Sequence, residues 1–409
     1  MTPAVVCEAI NPAKELIGAP RRPRAGTIRV LFLIDQLCGK GGAEAALVNT
    51  VRWLPKRFQP SVITFKLNPS LPLLADFPCS VRELPLRRTY DFNALKLAIH
   101  LGRFIRQERV DIVHTFFASA DLWGGVVARL ARRPILISSR RDLGFQRSAK
   151  HRIGYRALRH IYDRVIANSE RVREYSILED RLDPAKVQTI YNAVDLNHPA
   201  ESDSAAKLRE QLGLSSSSPI VACVANVRYI KGLDVFLRAA ALVEKKIPHA
   251  AFVVAGDTAH AEPGYLEQLD ALKKYLGAHN LRFVGPLESV APLLRASSLF
   301  CLLSRSEGFS NALIEAMACG LPCVATRVGG NEEALDDGGS GFLVENEDYV
   351  SAAARICDLL QDPLLASSMG EHGRRVVQER FLPQVATSKL VQVYDELLNA
   401  RNHAKHAAR

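Results

Sequence analysis

The chain has 409 residues, enough for two domains of ordinary size, and 48% of them are hydrophobic, so each can bury a core. No apolar run of about eighteen residues is free of charge, so no transmembrane helix is expected. The formal net charge of +10 is uneven: residues 27–195 carry 28 Lys and Arg against 16 Asp and Glu, residues 196–409 carry 21 against 25. The basic first half suits an anionic partner: a membrane surface, a lipid-linked phosphate or nucleic acid.

Residues 1–26 hold four prolines and the basic trio Arg21, Arg22 and Arg24, without a signal-peptide apolar core, and read as a loose leader. Ile28 to Ile34 is a buried-strand run of the parallel-sheet kind. Gly39, Gly41 and Gly42 then open a loop before a helix over Ala43 to Trp53. Such a loop lets backbone N–H groups approach a phosphate or sugar, or makes a tight turn. It is not a dinucleotide fingerprint. Glu44 stands where a third small residue belongs, and the strand from Ser61 to Phe65 ends at Lys66 rather than at an acid.

Strands are expected at Val81 to Leu84, Ile112 to Thr115, Ile135 to Ser138 and Arg164 to Asn168. Helices are expected at Asn93 to Glu108, Ala120 to Ala131 and Ser148 to Tyr162. This alternation predicts an α/β, doubly wound parallel sheet. His114 sits at a strand end, where ligands gather in open α/β sheets; a hydrogen-bonded core histidine fits equally. Arg140 and Arg141, at the next strand end, can contact an acceptor or be solvated. Asn168 and Ser169 close the last strand. From Arg140 to Arg164 there are eight Lys and Arg and two Asp. Arg152, Arg156 and Arg159 recur at helical spacing beside Ile153, Ala157 and Ile161. A basic stripe beside an apolar one suits a helix lying on an anionic membrane, or a solvated face packed on the sheet.

Ser215 to Ser218 reads as a loop. Strands follow at Ile220 to Ala225, Ala251 to Ala255 and Leu281 to Val284, with a short helix over Ser289 to Arg295. Arg228 and Lys231 precede a helix starting at Leu233, and two cations at a helix N-terminus suit an anion. The strand from Leu299 to Leu303 leads into Glu307, then a helix over Asn311 to Cys319 that Ser310 or Asn311 can cap and Gly320 with Pro322 ends. That helix has no evident polar face, so it is expected to be buried, and Glu315 on it needs a polar partner. Strand, loop and helix N-terminus form an anion site: an acid for a sugar, N–H groups for a phosphate, a second acid for a ribose. Asp336 and Asp337 beside Gly338 and Gly339 read as a turn. No D-x-D motif follows a strand, and the eight cysteines form no CxxC pair, so neither a metal nor another cofactor is expected and a reduced cytosolic setting fits.

The stretch from Ser304 to Thr326 resembles the E-x7-E signature of retaining glycosyltransferases of family 4, with Glu307 and Glu315 as its acids. GGAE at Gly41 to Glu44, the R-x-x-K-G segment at Arg228 to Gly232 and G-G-x-x-E at Gly329 to Glu333 resemble the same family, and the likeness covers roughly residues 28–400. Thr189 to Pro199 is similar to the family's N-G-V-D linker between two domains, with Ala193 in place of Gly. The resemblance implies the GT-B fold: two facing doubly wound, Rossmann-like domains. It places an acceptor-side domain over 27–195 with a last helix at about 385–400, and a donor domain over 200–380. It implies that Glu307, with the loop of Gly308, Phe309, Ser310 and Asn311, holds the donor sugar and that Glu315 holds the nucleotide ribose. Arg228 and Lys231 would hold the diphosphate, Glu333 and Gly41 with Gly42 would border the donor, and His114 would lie near the transferred bond.

The expected function is sugar transfer, with retention, from a nucleotide-diphosphate sugar to a glycan or lipid-linked acceptor in cell-surface polysaccharide or lipid-linked glycan synthesis. The expected location is cytoplasmic, peripheral on the inner face of the membrane. A GT-B nucleotide-sugar epimerase that hydrolyses its donor is the alternative. A nucleic-acid-binding protein would also be basic, yet no recognition helix, zinc site or aromatic platform supports it, and no nucleic-acid partner is expected.

Overall fold

The computed structural model describes residues 26–39, 41–145, 147–195, 204–215, 217–258 and 261–407. Residues 1–25 of the expected leader, 196–203 of the region around the expected linker and Ser216 of the serine loop lie outside them. Contacts divide the chain into one unit of Met1–Asn192 with Pro383–Arg409, and a second of Ala193–Leu382.

The first unit is a seven-stranded parallel sheet of order β3-β2-β1-β4-β5-β6-β7. Its strands are β1 (Ile28–Ile34), β2 (Phe58–Thr64), β3 (Val81–Glu83), β4 (Ile112–Phe116), β5 (Ile135–Arg140), β6 (Arg164–Ala167) and β7 (Val187–Thr189). β1 is an inner strand: Phe32 pairs in register with Val62 on one side and His114 on the other. The helices are α1 (Gly42–Trp53), α2 (Phe92–Gln107), α3 (Gly125–Ala131), α4 (Ala149–Leu158) and α5 (Glu170–Asp180). Short polar residues start three of them: Asp91, Ser148 and Ser169 accept hydrogen bonds from Ala94, His151 and Val172 N–H groups. Ser169 therefore has a structural task.

The second unit is a six-stranded parallel sheet of order β10-β9-β8-β11-β12-β13. Its strands are β8 (Ile220–Val224), β9 (Ala251–Ala255), β10 (Leu281–Gly285), β11 (Leu299–Leu302), β12 (Cys323–Thr326) and β13 (Gly341–Val344). Around them stand α6 (Ser204–Gln211), α7 (Leu233–Lys246), α8 (Tyr265–Leu276), α9 (Ala291–Ala296), α10 (Asn311–Ala318), α11 (Asn331–Ala334), α12 (Tyr349–Gln361) and α13 (Pro363–Arg380). The chain then returns to the first unit through α14 (Pro383–Ala407), longer than the helix expected there. Leu390, Val393 and Tyr394 of α14 join Phe32, Leu47 and Val48 on one face of the first sheet. Leu97, Leu101 and Phe104 of α2 cover the other face with Val127 and Ala128 of α3.

The stretch expected as one helix from Ala120 begins instead with a π-helical turn, Ala120–Gly124, before α3. Each sheet reverses its strand order once, between β1 and β4 in the first unit and between β8 and β11 in the second. In doubly wound sheets, ligands bind beyond the carboxyl ends of the strands that flank such a reversal.

Candidate active site

In the second unit the two strand ends at the reversal carry the predicted donor residues. After β8 the chain makes a 3-10 turn, Tyr229–Lys231, and enters α7 through Gly232. Gly232 has φ of +59°, and the backbone carbonyl of Leu303 occupies the place a side chain would fill. The turn therefore sits directly on the segment that follows β11. Lys231 Nζ donates to Glu307 Oε1 at 2.7 Å, and Ser304 Oγ donates to the same oxygen at 2.7 Å. Glu307 is only 8% exposed.

A third loop closes on this pair. Gly329, with φ of +53°, faces the Glu307 carbonyl where its Cβ would stand, and the Gly330 N–H donates to the Gly308 carbonyl at 3.1 Å. Any side chain at Gly329 would push the Glu307 loop away. Ser310, not Asn311, caps α10, accepting from the Leu313 N–H at 3.3 Å. The N-terminus of a buried helix is a natural place for an anion.

α10 is less buried than its composition suggests. Asn311, Ala312, Glu315 and Cys319 form a half-exposed strip, while Leu313, Ile314, Ala316 and Met317 are buried. Glu315 thus stands on the same open strip as Asn311, which corrects the expectation of burial on all sides. Glu333 is half-exposed on α11, next to the exposed Glu332. Arg228 is half-buried and has no ion-pair partner among the described residues.

Sequence reasoning passed over Arg305. Its guanidinium pairs with both carboxylate oxygens of Asp234 at 2.8 Å, reaches Glu347, and donates to the Tyr229 carbonyl at 2.7 Å. It also lies 3.8 Å from the Tyr229 ring centroid. The hydrogen bonds from Arg305 to Asp234 lead the effects that raise its pKa. Arg305 clamps the turn that carries Lys231 to the loop that carries Glu307. Its position two residues before Glu307 was the one available signal.

In the first unit, the structure separates the predicted residues. His114 is 2% exposed, and both ring nitrogens are engaged: Nδ1 with Tyr394 Oη at 2.8 Å, Nε2 with Ser139 Oγ at 2.9 Å. Burial, then the charge of Arg141, lowers its pKa to about 3, so it is neutral at pH 7. This is the geometry of a core histidine, which leaves no ring nitrogen free for a reacting group. Arg140 is corrected outright as an acceptor contact. It is 2% exposed, ion-paired to Asp121 and Asp180, and packed 3.9 Å from the Tyr155 ring centroid. Asp121 also accepts from Thr115, Ser138 and Tyr155, so Arg140 serves a buried polar network.

Arg141, one residue on, is half-buried, donates to Asn192 Oδ1 and lies 5.6 Å from the Phe116 ring centroid. Burial lowers its pKa to about 10 against the opposing charge of Glu44. Gly41 is the N-cap residue of α1, and the Glu44 carboxylate folds back against it; Gly42 is exposed. Asp35, just past β1, accepts from the N–H groups of Ser119 and Ala120 at 2.9 and 2.6 Å, and burial raises its pKa to about 6. Nothing in the local sequence flagged it. Of the stripe expected on α4, Arg152, Ile153 and Ala157 are exposed, while Arg156 pairs with Glu179 at the surface and Arg159 donates to the Arg156 carbonyl.

Comparison with known proteins gives the family. Residues 40–198 match the model for Glycosyltransferase Family 4, and residues 204–376 match that for Glycosyl transferases group 1. An Escherichia coli UDP-Gal:alpha-D-GlcNAc-diphosphoundecaprenol alpha-1,3-galactosyltransferase is 30% identical over 278 residues, 64% of this chain and 70% of that protein. The chain belongs to glycosyltransferase family 4. A second relative, the N-acetyl-alpha-D-glucosaminyl L-malate synthase of Bacillus anthracis, is 27% identical over 85% of this chain and 91% of its own. Among solved structures, Anabaena HepE in complex with UDP-glucose has a TM-score of 0.78 at 22% identity, covering 90% of this chain and 100% of that one. The sucrose-phosphate synthase of Thermosynechococcus elongatus has a TM-score of 0.73 at 21% identity, covering 91% and 100%. The fold of this family 4 glycosyltransferase is GT-B.

Proposed function

We propose that this glycosyltransferase moves a sugar from a nucleotide-diphosphate sugar to a glycan or lipid-linked acceptor with retention at the anomeric carbon. The observation that carries the reading is the meeting of Lys231 and Glu307 at the β8/β11 reversal, before the N-terminus of α10. Support for the donor class comes from the relative named for UDP-Gal and from HepE bound to UDP-glucose, which favour UDP as the nucleotide. Support for the acceptor class comes from the diphosphoundecaprenol acceptor in the first relative's name.

In this reading the Glu307 carboxylate accepts from hydroxyls of the donor sugar, and the loop of Gly308, Phe309, Ser310 and Asn311 faces the phosphates. Glu315 takes the ribose hydroxyls, and Glu333 borders the same pocket. Lys231 and Arg228 hold the diphosphate. As the bond from anomeric carbon to phosphate oxygen breaks, negative charge grows on the diphosphate, and these cations with the α10 N-terminus stabilise it. The departing phosphate oxygen takes the proton of the acceptor hydroxyl, whose oxygen attacks from the same face. Retention follows, and no metal is required. Arg141 remains the acceptor candidate of the first unit, and Gly41 with Gly42 the candidate backbone contact to the donor. The enzyme then works at the cytoplasmic face of a membrane, in cell-surface polysaccharide or lipid-linked glycan synthesis.

A thermal-shift panel of UDP-, GDP- and ADP-sugars tests the donor, since a ligand at a hundred times its Kd adds about 2.7 kcal/mol. Stabilisation by UDP-sugars and an α-linked product by NMR are the expected results. Free sugar with no acceptor product would replace transfer by hydrolysis. No response to any nucleotide sugar would sink the donor class.

A further inference from the structure

Among the described residues, no helix is long and apolar enough to cross a membrane. One helix of the first unit nevertheless carries an uncovered apolar face. On α2, Leu97, Leu101, Phe104 and Ile105 pack into the core. On the opposite side Phe92, Leu95 and Ile99 are 72%, 59% and 47% exposed, and Tyr90, just before the helix, is 81% exposed. The spacing of 92, 95 and 99 puts the three on one strip, and Lys96, Arg103 and Arg106 fall on the same strip, all exposed. Isolated exposed apolar residues are ordinary; four together within a basic frame are not.

The charge on this face is uncompensated. Arg87 and Arg88, exposed just upstream, extend the basic frame. Among the described residues, none of these five cations has an acidic partner. The two nearest acids in sequence are already committed. Asp91 caps the helix by accepting from the Ala94 N–H at 2.7 Å, and Glu108 pairs with Arg29 at 2.8 Å. Lys96 Nζ lies 5.0 Å from the Phe92 ring centroid, which joins the apolar and basic parts in one surface. α3 packs on α2 near Gly102 and carries Leu130, 80% exposed, in its last turn, just before the exposed Arg132 and Arg133.

We propose that this face of α2 is the surface by which the protein lies on an anionic lipid bilayer, with the aromatic and aliphatic side chains in the headgroup boundary and the arginines on acidic headgroups. Charge complementarity selects this occupant: a second copy would bring the same unpaired cations against themselves. The α2 face is chosen over the stripe on α4, where Arg156 pairs with Glu179 and Arg159 bonds the Arg156 carbonyl, so that Arg152 beside Ile153 is the one exposed arginine of the three.

The proposal goes beyond the donor chemistry and shares with the proposed function only the membrane location. Its test is vesicle sedimentation without donor or acceptor. The wild-type chain should pellet with vesicles containing phosphatidylglycerol, less so at high salt, and not with phosphatidylcholine alone. The pairs Leu95→Glu with Ile99→Glu, and Arg103→Glu with Arg106→Glu, should each weaken partition about tenfold or more. Arg152→Glu on α4 should leave it unchanged. All these positions are solvent-facing, and an unchanged melting temperature controls for folding. No pelleting, equal pelleting with both vesicles, or wild-type pelleting of the α2 variants would overturn the proposal. So would a dimer, seen by sedimentation velocity, that Leu95→Glu with Ile99→Glu dissolves. Transfer to a soluble acceptor would remove the lipid-linked reading and leave this result standing.

Discussion

Lys231 Nζ stands 2.7 Å from Glu307 Oε1 although 76 residues separate the two in the chain. Neighbouring parallel strands, β8 and β11, bring their carboxyl ends together and place the cation on the acid. The pair is partly buried, with the lysine side chain 28% and the glutamate side chain 8% exposed. Each partner offsets the cost of desolvating the other, and a bound diphosphate offers the lysine a stronger anion.

The first prediction follows from that geometry. Lys231→Ala and Arg228→Ala should each lower turnover about a hundredfold, the scale of losing one donor to a developing oxyanion. The double variant should lose less than the product of the two, because both act on one charge. Steady-state kinetics with a UDP-sugar reads this. Single variants within twofold of wild type would make the cations bystanders.

Glu315→Gln should keep the fold, since the side chain lies on the half-exposed strip of α10. Its amide is a poorer acceptor for ribose hydroxyls, so UDP affinity should fall about tenfold, or ~1.4 kcal/mol. Calorimetric titration with UDP alone isolates this contribution. Unchanged affinity would remove Glu315 from the nucleotide site.

His114 makes a pH prediction with a definite sign. Its pKa falls from 6.5 unfolded to about 3 folded, chiefly through burial. The unfolded state therefore binds the extra proton first. The contribution of His114 to stability is whole above pH 6.5 and is lost as pH falls toward 3, at about 1.4 kcal/mol per pH unit. Urea denaturation of wild type and His114→Gln at pH 7 and pH 5 should show the variant losing less on acidification, by about 2 kcal/mol. If the two respond alike, the histidine is not held neutral. The same variant should retain most of its turnover at pH 7; abolished turnover would restore His114 to the chemistry.

Arg140 and Arg141 should behave in opposite ways. Arg140→Ala leaves Asp121, 1% exposed, without its charge partner in the core, while Asp180 keeps Arg147, and should cost about 3–5 kcal/mol in urea. Arg141→Ala, at a half-buried strand end, should cost far less and show itself in acceptor KM. Equal destabilisation by the two would contradict the assignment.

Much of the candidate site is legible because its signals are local. The apolar runs of β1, β8, β9 and β11 mark buried parallel strands, since strands covered on both faces need no alternation. Ser310 reads as a helix start because its oxygen bonds within one turn. β7, three residues long, and α5, with its even mixture of charge and apolar residues, lack the periodicity that marks an element, and only packing against their neighbours defines them.

The sequence by itself determined the alternating architecture and the family, and it marked Glu307 and Glu315 as candidate acids, because each is written in short-range spacing. The tertiary structure alone decided what each cation does. Arg140 ends a strand with its side chain inside, while Arg141 follows with a different neighbourhood, since successive residues along a strand face opposite ways. α2 is apolar on two sides, and only the packing of Leu97 and Leu101 into the core leaves Phe92, Leu95 and Ile99 uncovered. Burial and charge pairing depend on residues far apart in the chain, and no spacing rule reaches that far.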